Sequence, residues 1–210
     1  MADTKAYASD VAFTGTVKAV QARKGSRAAY ARMEAGGSWE HTITDELKSE
    51  IEAQTSVFLA TANADGQPYI QHRGGPAGFL RVLDEHTIAF VDFAGNRQYI
   101  TQGNLEENPK AQLFLIDYAH RRRIKIWGTA RVVEGDAALV RRLMPDGYRA
   151  RPEQVVLFTV VAWDVNCPQH IPQRFEADDV RAAIDARDQR IAALEAEVLR
   201  LQTSGTNPAS

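Results

Sequence analysis

The stretch SVFLATANADGQPYIQHRGGP, residues 56–76, contains the pattern that decides the fold. Two runs of strand-forming residues, SVFLATA and QPYIQHRG, are separated by the segment NADG. The Asp65-Gly66 pair between such runs is typical of a tight hairpin turn, whose backbone favours these two residue types. The stretch therefore predicts an antiparallel β-hairpin, at which a larger sheet begins.

Further strand-like runs follow this hairpin along the next hundred residues. They are separated by turns that contain glycine, asparagine, proline or charged residues, and their sequences are FLRVLD, TIAFVDF, AQLFLIDY, RIKIWGTARVV and VVLFTVVAW. Short strands at this spacing favour a closed or nearly closed antiparallel barrel over a doubly wound sheet. We expect six or seven strands in a mainly β (α+β) protein.

Helices are predicted around this barrel and after it. The apolar spacing and the capping residues place four short helices at residues 27–34, 45–54, 96–107 and 136–144. A longer amphipathic helix is predicted over residues 178–202, where apolar residues recur at alternating four- and three-residue steps. This narrow apolar seam either packs on its own barrel or pairs with another subunit, and the sequence leaves both alternatives open.

Composition and charge exclude several classes of protein. The 210 residues are 44% hydrophobic, and 25 basic residues nearly balance 27 acidic ones. We therefore expect no general attraction to nucleic acid or to an anionic membrane. No apolar stretch is long enough to span a bilayer, and the N-terminus lacks the features of a signal peptide, so the predicted location is cytoplasmic. The single cysteine, Cys167, excludes an intrachain disulfide, and no metal site is predicted.

Two polar clusters at strand ends are candidate phosphate sites. In HRGGPAGF, residues 72–79, the glycines allow close backbone approach to a ligand, and Arg73 could bind phosphate in a bidentate manner. In AGNRQY, residues 94–99, a strand turns into a helix near Arg97, a geometry that favours anions. The alternatives are a solvated arginine in a glycine-rich connection and an ordinary helix cap at Asn96.

Two further clusters carry weaker signals. In RRRIKIWGTARVV, alternation places Lys125 and Trp127 on one face of a strand, which is either a solvated face or the wall of a ligand site. In WDVNCPQHIPQRF, Cys167 and His170 lack a third metal ligand. Such residues more often form a packed thiol and a hydrogen-bonded histidine than a metal or nucleophile site.

The order of these clusters resembles the pyridoxamine 5′-phosphate oxidase-related, FMN-binding split-barrel family. Four strings carry the resemblance, namely SVFLATANADGQPYIQHRGGP, FVDFAGNRQYI, NPKAQLFLIDY and RRRIKIWGTARVV. The resemblance implies a split β-barrel and a homodimer with FMN sites at the subunit interface. Together with the predicted elements outside it, the resemblance divides the chain into an N-terminal leader with a short helix (1–43), an FMN-binding split-barrel domain (44–175), and a C-terminal amphipathic helix with a disordered end (176–210).

The resemblance and the polar clusters described above together give a set of predicted cofactor-binding residues. Arg73 corresponds to the family's arginine after the first hairpin, and Arg97 with Gln98 to the basic pair after the next long strand. The full predicted set is His72, Arg73, Gly74, Asn96, Arg97, Gln98, Lys125, Trp127, Gln169 and His170. No catalytic residue is predicted, because the flavin itself exchanges hydride.

The implied function is an FMN-dependent oxidoreductase that acts on a small organic substrate, with NAD(P)H as the candidate electron donor. Asn96-Arg97-Gln98 stands where the pyridoxamine 5′-phosphate oxidases carry serine, arginine and lysine, which argues against oxidation of pyridoxamine phosphate. The alternative is a non-catalytic flavin, haem or deazaflavin carrier or redox sensor on the same fold. A third interpretation is a barrel that serves as a scaffold for protein interaction.

Replacement of the single cysteine tests the interpretation of Cys167. We expect Cys167→Ser to leave bound-flavin content and any reductase activity nearly unchanged, because a lone thiol without a base or metal set has no chemical role. Absorbance of the purified variant and its turnover with NAD(P)H measure both quantities. Loss of most activity with flavin still bound would overturn this interpretation.

Overall fold

The computed structural model describes residues 7–37, 39–166 and 168–205. The chain divides into two units, of which the first spans Met1–Asp117 and Arg121–Gln169. The second contains Tyr118–His120 and His170–Ser210. Cys167 and residues 206–210 of the predicted disordered end lie outside the described residues.

The first unit is built on one seven-stranded antiparallel sheet. Its strands are β1 (Ser56–Ala62), β2 (Pro68–Gly74), β3 (Arg81–Asp84), β4 (Thr87–Phe93), β5 (Lys110–Asp117), β6 (Arg122–Val133) and β7 (Pro152–Asn166). They follow one another in the order β2-β1-β5-β6-β7-β4-β3. The predicted split β-barrel is confirmed, and its strand count lies within the predicted range.

The first hairpin forms as the sequence predicts. Strands β1 and β2 pair in register from Ser56 opposite Gly74 to Ala62 opposite Pro68. In the turn, Gly66 has a φ of 83°, which a residue with a side chain rarely adopts. The Gly66 N–H donates to the Asn63 carbonyl oxygen at 3.0 Å, which closes the turn.

Side-chain alternation along the strands builds the core. In β1, Val57, Leu59 and Thr61 are buried, and the residues between them are only partly buried. Val57 and Leu59 join apolar side chains from the other central strands, including Leu113, Ile126 and Phe158, in one core. Antiparallel pairing keeps opposed residues on the same face, so one alternating pattern fixes both the core and the outer surface.

Helices cover parts of this sheet. In the first unit they are α1 (Gly15–Arg23), α2 (Arg27–Ala35), α3 (Asp45–Ala53), α4 (Ile100–Glu107) and α5 (Ala137–Leu143). Helix α3 starts after Thr44, whose side chain accepts a hydrogen bond from the Leu47 N–H. It buries Leu47 and Ile51 against the core, as its four-residue apolar spacing predicts.

Helix α4 begins four residues later than predicted. The sequence placed its start at Asn96, whereas the structure places it at Ile100. Arg97 and Tyr99 have φ angles of 58° and 54°, which a right-handed helix excludes. Residues 94–99 are therefore an irregular turn between β4 and α4.

The N-terminal segment packs on the outer surface of the sheet. Helix α1, which the sequence analysis missed, precedes the predicted helix α2. The Trp39 ring stacks on Trp127 of β6, with the ring centroids 4.6 Å apart. The Trp163 Nε1–H donates to the Thr42 carbonyl oxygen at 2.8 Å. The predicted leader is thus attached to the barrel by aromatic contacts and a hydrogen bond.

The second unit contains one long helix, α6 (Ala177–Gly205). It extends the predicted helix by one residue at its start and by three at its end. Ahead of it, the Arg174 guanidinium lies 4.7 Å from the centre of the Tyr118 ring. Among the described residues, no helix combines the length and the apolar character that a membrane span requires.

Glycine at position 128 is required by the packing of β6 on β7. A Cβ at Gly128 would lie 2.7 Å from Phe158 Cε1 and would also overlap the Thr159 carbonyl oxygen. We expect Gly128→Ala to destabilise the fold by about 1–3 kcal/mol, because neither the ring nor the backbone can retreat from the core. The midpoint of urea unfolding measures the change.

Gly103→Ala is the matched control, because a Cβ at Gly103 meets no atom within 4 Å. Alanine at this position in α4 should leave stability unchanged or raise it by up to about 1 kcal/mol. Equal unfolding midpoints for the two variants would contradict the packing of β6 on β7 described above.

Candidate functional site

The opening of the barrel is bridged by an ion pair between two strands that do not hydrogen-bond to each other. Strands β2 and β4 occupy the first and sixth positions in the sheet order. Arg73 of β2 and Asp92 of β4 nevertheless approach to 2.8 Å between Nη1 and Oδ1. Their side chains are only 16% and 9% exposed. A largely buried pair of opposite charges therefore spans the split.

Alternation along β2 directs Arg73 to this position. Arg73 is paired with Val57 of β1, so its side chain lies on the same face of the sheet as the core. Tyr69 and Gln71 precede it at two-residue intervals on that face. At the end of the strand the core gives way to the opening, and the long arginine side chain reaches Asp92 across it.

The Arg73–Asp92 pair leaves hydrogen-bonding capacity unused. The Gln154 Nε2–H donates to Asp92 Oδ2 at 3.1 Å, but the approach of Arg73 to Oδ1 is not aligned as a hydrogen bond. Arg73 Nε is buried and has no partner among the residues that the structure describes. Burial raises the pKa of Asp92 above its ordinary value of 3.8, and the positive charge of Arg73 only partly opposes this effect.

The turn at residues 94–99 supplies a second arginine at the same opening. The Arg97 Nε–H donates to Tyr99 Oη at 2.9 Å, and the Tyr99 hydroxyl donates to Glu153 Oε1 at 2.8 Å. The Arg97 side chain is 68% exposed and lies at the rim. Within the turn, Asn96 Oδ1 accepts a hydrogen bond from the Gln98 N–H at 3.3 Å.

These elements enclose a cavity of about 210 Å³. Most of the side chains around it are polar. The lining consists of Tyr69, Gln71, Arg73, Asp92, Phe93, Gly95, Asn96, Arg97, Gln98, Tyr99, Ile100, Thr101, Gln102, Glu153 and Gln154. We call this cavity the split cleft. It offers two guanidinium groups and several amides to an anionic or polar ligand.

Four of the predicted cofactor-binding residues line the split cleft. They are Arg73, Asn96, Arg97 and Gln98. His72 and Gly74 line a smaller cavity of about 130 Å³ that shares Arg73, Asp92 and Phe93 with the split cleft. His72 Nε2 is held there at 2.8 Å from Ser56 Oγ.

The remaining predicted residues are not brought to the split cleft. Lys125 and Trp127 lie on the outer face of β6, and Trp39 covers one face of the Trp127 ring. Lys125 is opposite Asp164 of β7, where burial raises the pKa of the carboxyl group and the lysine charge opposes the rise. Gln169 is exposed and does not line the cleft.

His170 belongs to the second unit, where it is exposed and has a φ of 62°. No contact of its side chain bears on the predicted role in cofactor binding. That role therefore stays a prediction.

The sequence analysis missed the acidic residues of the split cleft. Asp92 and Glu153 each pair with one of the two arginines. Asp92 carried a usable signal, because a carboxylate inside the apolar run TIAFVDF must find a partner when its strand is buried. Glu153 carried no comparable signal, since it lies at the exposed start of a long strand.

Comparison with known proteins identifies the family. The sequence model of a family described as pyridoxamine 5′-phosphate oxidase matches residues 43–167, more than half of the chain. The chain belongs to this family. The match includes the whole seven-stranded sheet and every residue of the split cleft. No curated protein sequence matches the chain.

Solved structures similar to this member of the pyridoxamine 5′-phosphate oxidase family have low sequence identity. HupZ from Group A Streptococcus is 20% identical, with a TM-score of 0.45, and the alignment covers 63% of this chain and 99% of HupZ. An FMN-binding protein from Syntrophomonas wolfei is 12% identical, with a TM-score of 0.44 and coverage of 70% and 97%.

A Clostridium acetobutylicum protein related to general stress protein 26 is 18% identical, with a TM-score of 0.42 and coverage of 62% and 91%. The family assignment rests on the sequence match and not on these structures.

Asp92→Asn tests the electrostatics of the split cleft. A raised pKa in the folded state means that the ionised carboxylate opposes folding, so stability is greater below that pKa and is lost as the pH rises through it. We expect Asp92→Asn to melt at a higher temperature than the wild type at neutral pH. The difference should disappear in acid, where Asp92 is protonated.

Melting temperatures of both proteins between acid and neutral pH measure this difference. A lower melting temperature for Asp92→Asn at neutral pH would mean that the pair with Arg73 outweighs burial, contrary to the direction of the pKa shift.

Proposed function

We propose that this chain binds FMN, with the phosphate group of the cofactor in the split cleft. The observation that carries the proposal is an unused hydrogen-bond donor in the split cleft. Arg73 lines the cleft, and its buried Nε has no hydrogen-bond partner among the described residues. Arg97 lies at the rim of the same cavity. Two guanidinium groups around one small polar cavity suit a dianionic phosphate group, to which each can donate charge-assisted hydrogen bonds.

The charges of the split cleft need a rearrangement for a phosphate to bind. Asp92 and Glu153 balance Arg73 and Arg97 in the free protein. The raised pKa of Asp92 supports its protonation beside a bound dianion, which would free Arg73 for the phosphate. Asn96 and Gln98 add amide groups that can donate hydrogen bonds to phosphate oxygens.

The size of the split cleft limits how much of the cofactor it can enclose. Sites for complete small-molecule cofactors occupy about 300–1,000 Å³. At about 210 Å³, the split cleft suits the phosphate and part of the ribityl chain. We therefore propose that the isoalloxazine ring lies at the mouth of the cleft, between two subunits of a homodimer. In that arrangement His72, Lys125 and Trp127, on the outer face of the sheet, are candidates for contacts with the partner's cofactor.

Bound FMN would supply hydride transfer at its isoalloxazine ring. Arg73 and Arg97 would anchor the cofactor, and Gln71 and Thr101, joined by a 2.9 Å hydrogen bond, would hold the wall of the cleft in place. We propose an oxidoreductase that acts on a small organic substrate with NAD(P)H as electron donor.

The absorbance spectrum of the purified protein tests this function. We expect a flavin spectrum that is lost when NAD(P)H is added without oxygen and that returns when a suitable substrate is added. A flavin that NAD(P)H does not reduce would favour a carrier and contradict the proposed donor. A protein without flavin that also takes up no added FMN would contradict the proposal as a whole.

Substitution of the two arginines tests the phosphate position. We expect Arg73→Ala and Arg97→Ala each to weaken FMN binding by roughly tenfold to a hundredfold, because each loses charge-assisted hydrogen bonds to the phosphate. Riboflavin lacks the phosphate, so its weaker binding should change little. Titration of both flavins into the apoprotein measures the affinities.

Arg131→Ala is the matched control, because Arg131 is exposed on β6 and does not line the split cleft. It should bind both flavins like the wild type. An equal loss of FMN and riboflavin affinity in the Arg73 and Arg97 variants would exclude them as the phosphate site.

A further inference from the structure

Helix α6 exposes a row of apolar side chains that a single charged residue interrupts. The row, which we call the C-terminal seam, consists of Val180, Ile184, Ile191, Leu194, Val198 and Leu201. The six residues are each between 43% and 61% exposed. An apolar row of this length on the surface marks an interaction site, because water around it is unfavourable.

The spacing of the C-terminal seam follows a heptad repeat. Starting at Val180, the seam positions alternate by four and three residues, with Arg187 at the one position that is not apolar. The a positions are Ile184, Ile191 and Val198, and the d positions are Val180, Arg187, Leu194 and Leu201. β-Branched residues at a together with leucine at d favour a parallel two-stranded coiled coil.

We propose that the C-terminal seam pairs with the same seam of a second copy of this chain as a parallel coiled coil. The inference does not depend on cofactor binding, since it rests on α6 alone. The charges that flank the C-terminal seam indicate that its partner is a second copy of the same helix. Arg190 occupies a g position and Glu195 the e position of the next heptad, so Arg190 would face Glu195 of the partner subunit on both sides of a parallel pair.

The antiparallel arrangement is disfavoured by the same charges. It would pair Arg190 with Glu197 of the partner subunit at the g positions, but it would also place Asp188 opposite Glu195 at the e positions, and this repulsion offsets the attraction. The parallel pair gains its attraction without a like-charge pair. Among the residues that the structure describes, neither Arg190 nor Glu195 forms an ion pair. Both are therefore available to a partner.

Arg187 makes the coiled coil weaker but more specific. A charged residue at one core position costs stability and fixes the register of the two helices. In the parallel pair, Arg187 would lie beside Asp188 of the partner subunit, which has the opposite charge. A shift by one heptad would instead place one of the two Arg187 side chains against Val180 of the partner subunit, beside Arg181, which has the same charge.

Disulfide trapping in the full chain tests the proposal. The background is Cys167→Ser, which removes the only cysteine, and Val198→Cys is added at an a position. A parallel pair brings the two copies of residue 198 side by side, within the reach of a disulfide. An antiparallel pair aligned on the same core layers separates them by about 16 Å along the axis.

We expect mild oxidation to convert most of the Val198→Cys protein into a covalent dimer. The matched control is Arg200→Cys, which lies on the outer side of the coiled coil and should crosslink at least tenfold more slowly. Equal crosslinking of the two variants, or none in either, would overturn the proposal.

A charge exchange gives a second readout in the Val198→Cys background. Arg190→Glu should slow crosslinking roughly two- to fivefold, because it places like charges opposite each other. The double variant Arg190→Glu and Glu195→Arg should restore the rate. No effect of the single change, or no recovery in the double variant, would exclude the parallel register.

Discussion

The ion pair between Arg73 and Asp92 is the interaction on which the chemistry of the split cleft depends. Strands β2 and β4 do not share backbone hydrogen bonds, so the sheet curls without closing. At the opening, a guanidinium and a carboxylate meet at 2.8 Å and are both largely removed from water. A buried pair contributes little net stability, because desolvation offsets the attraction. Its presence at the opening is better explained by ligand binding than by stability.

The turn between β4 and α4 serves the same site. Arg97 and Tyr99 both adopt left-handed backbone conformations, which are costly for residues with side chains and which cluster at ligand sites. The hydrogen bonds from Arg97 to Tyr99 and from Tyr99 to Glu153 hold this conformation at the rim. Strain, buried charge and an unused donor on Arg73 thus occur within one small cavity, and together they support a phosphate site.

Local patterns in the sequence predicted the fold well. The hairpin at Asp65-Gly66 and the long C-terminal helix each depend on patterns among neighbouring residues, and the structure confirms both. The predicted start of α4 was wrong, because nothing in AGNRQY signals that Arg97 and Tyr99 adopt positive φ angles.

The contact of Arg73 with Asp92 could not be predicted from the sequence, since it depends on how far the whole sheet curls. The stacking of Trp39 on Trp127 could not be predicted for a similar reason. When an N-terminal segment packs on a distant strand, the sequence shows no periodic pattern that indicates the contact.

We propose that the phosphate of FMN lies between the guanidinium groups of Arg73 and Arg97. The most direct measurement is the ³¹P NMR spectrum of the protein saturated with FMN, recorded across the pH range in which free FMN titrates. Free FMN phosphate loses its second proton near a pKa of about 6. We predict that the bound phosphate remains a dianion throughout this range, because two adjacent cations lower its pKa. A bound resonance that titrates as free FMN does would place the phosphate in solvent and contradict the account.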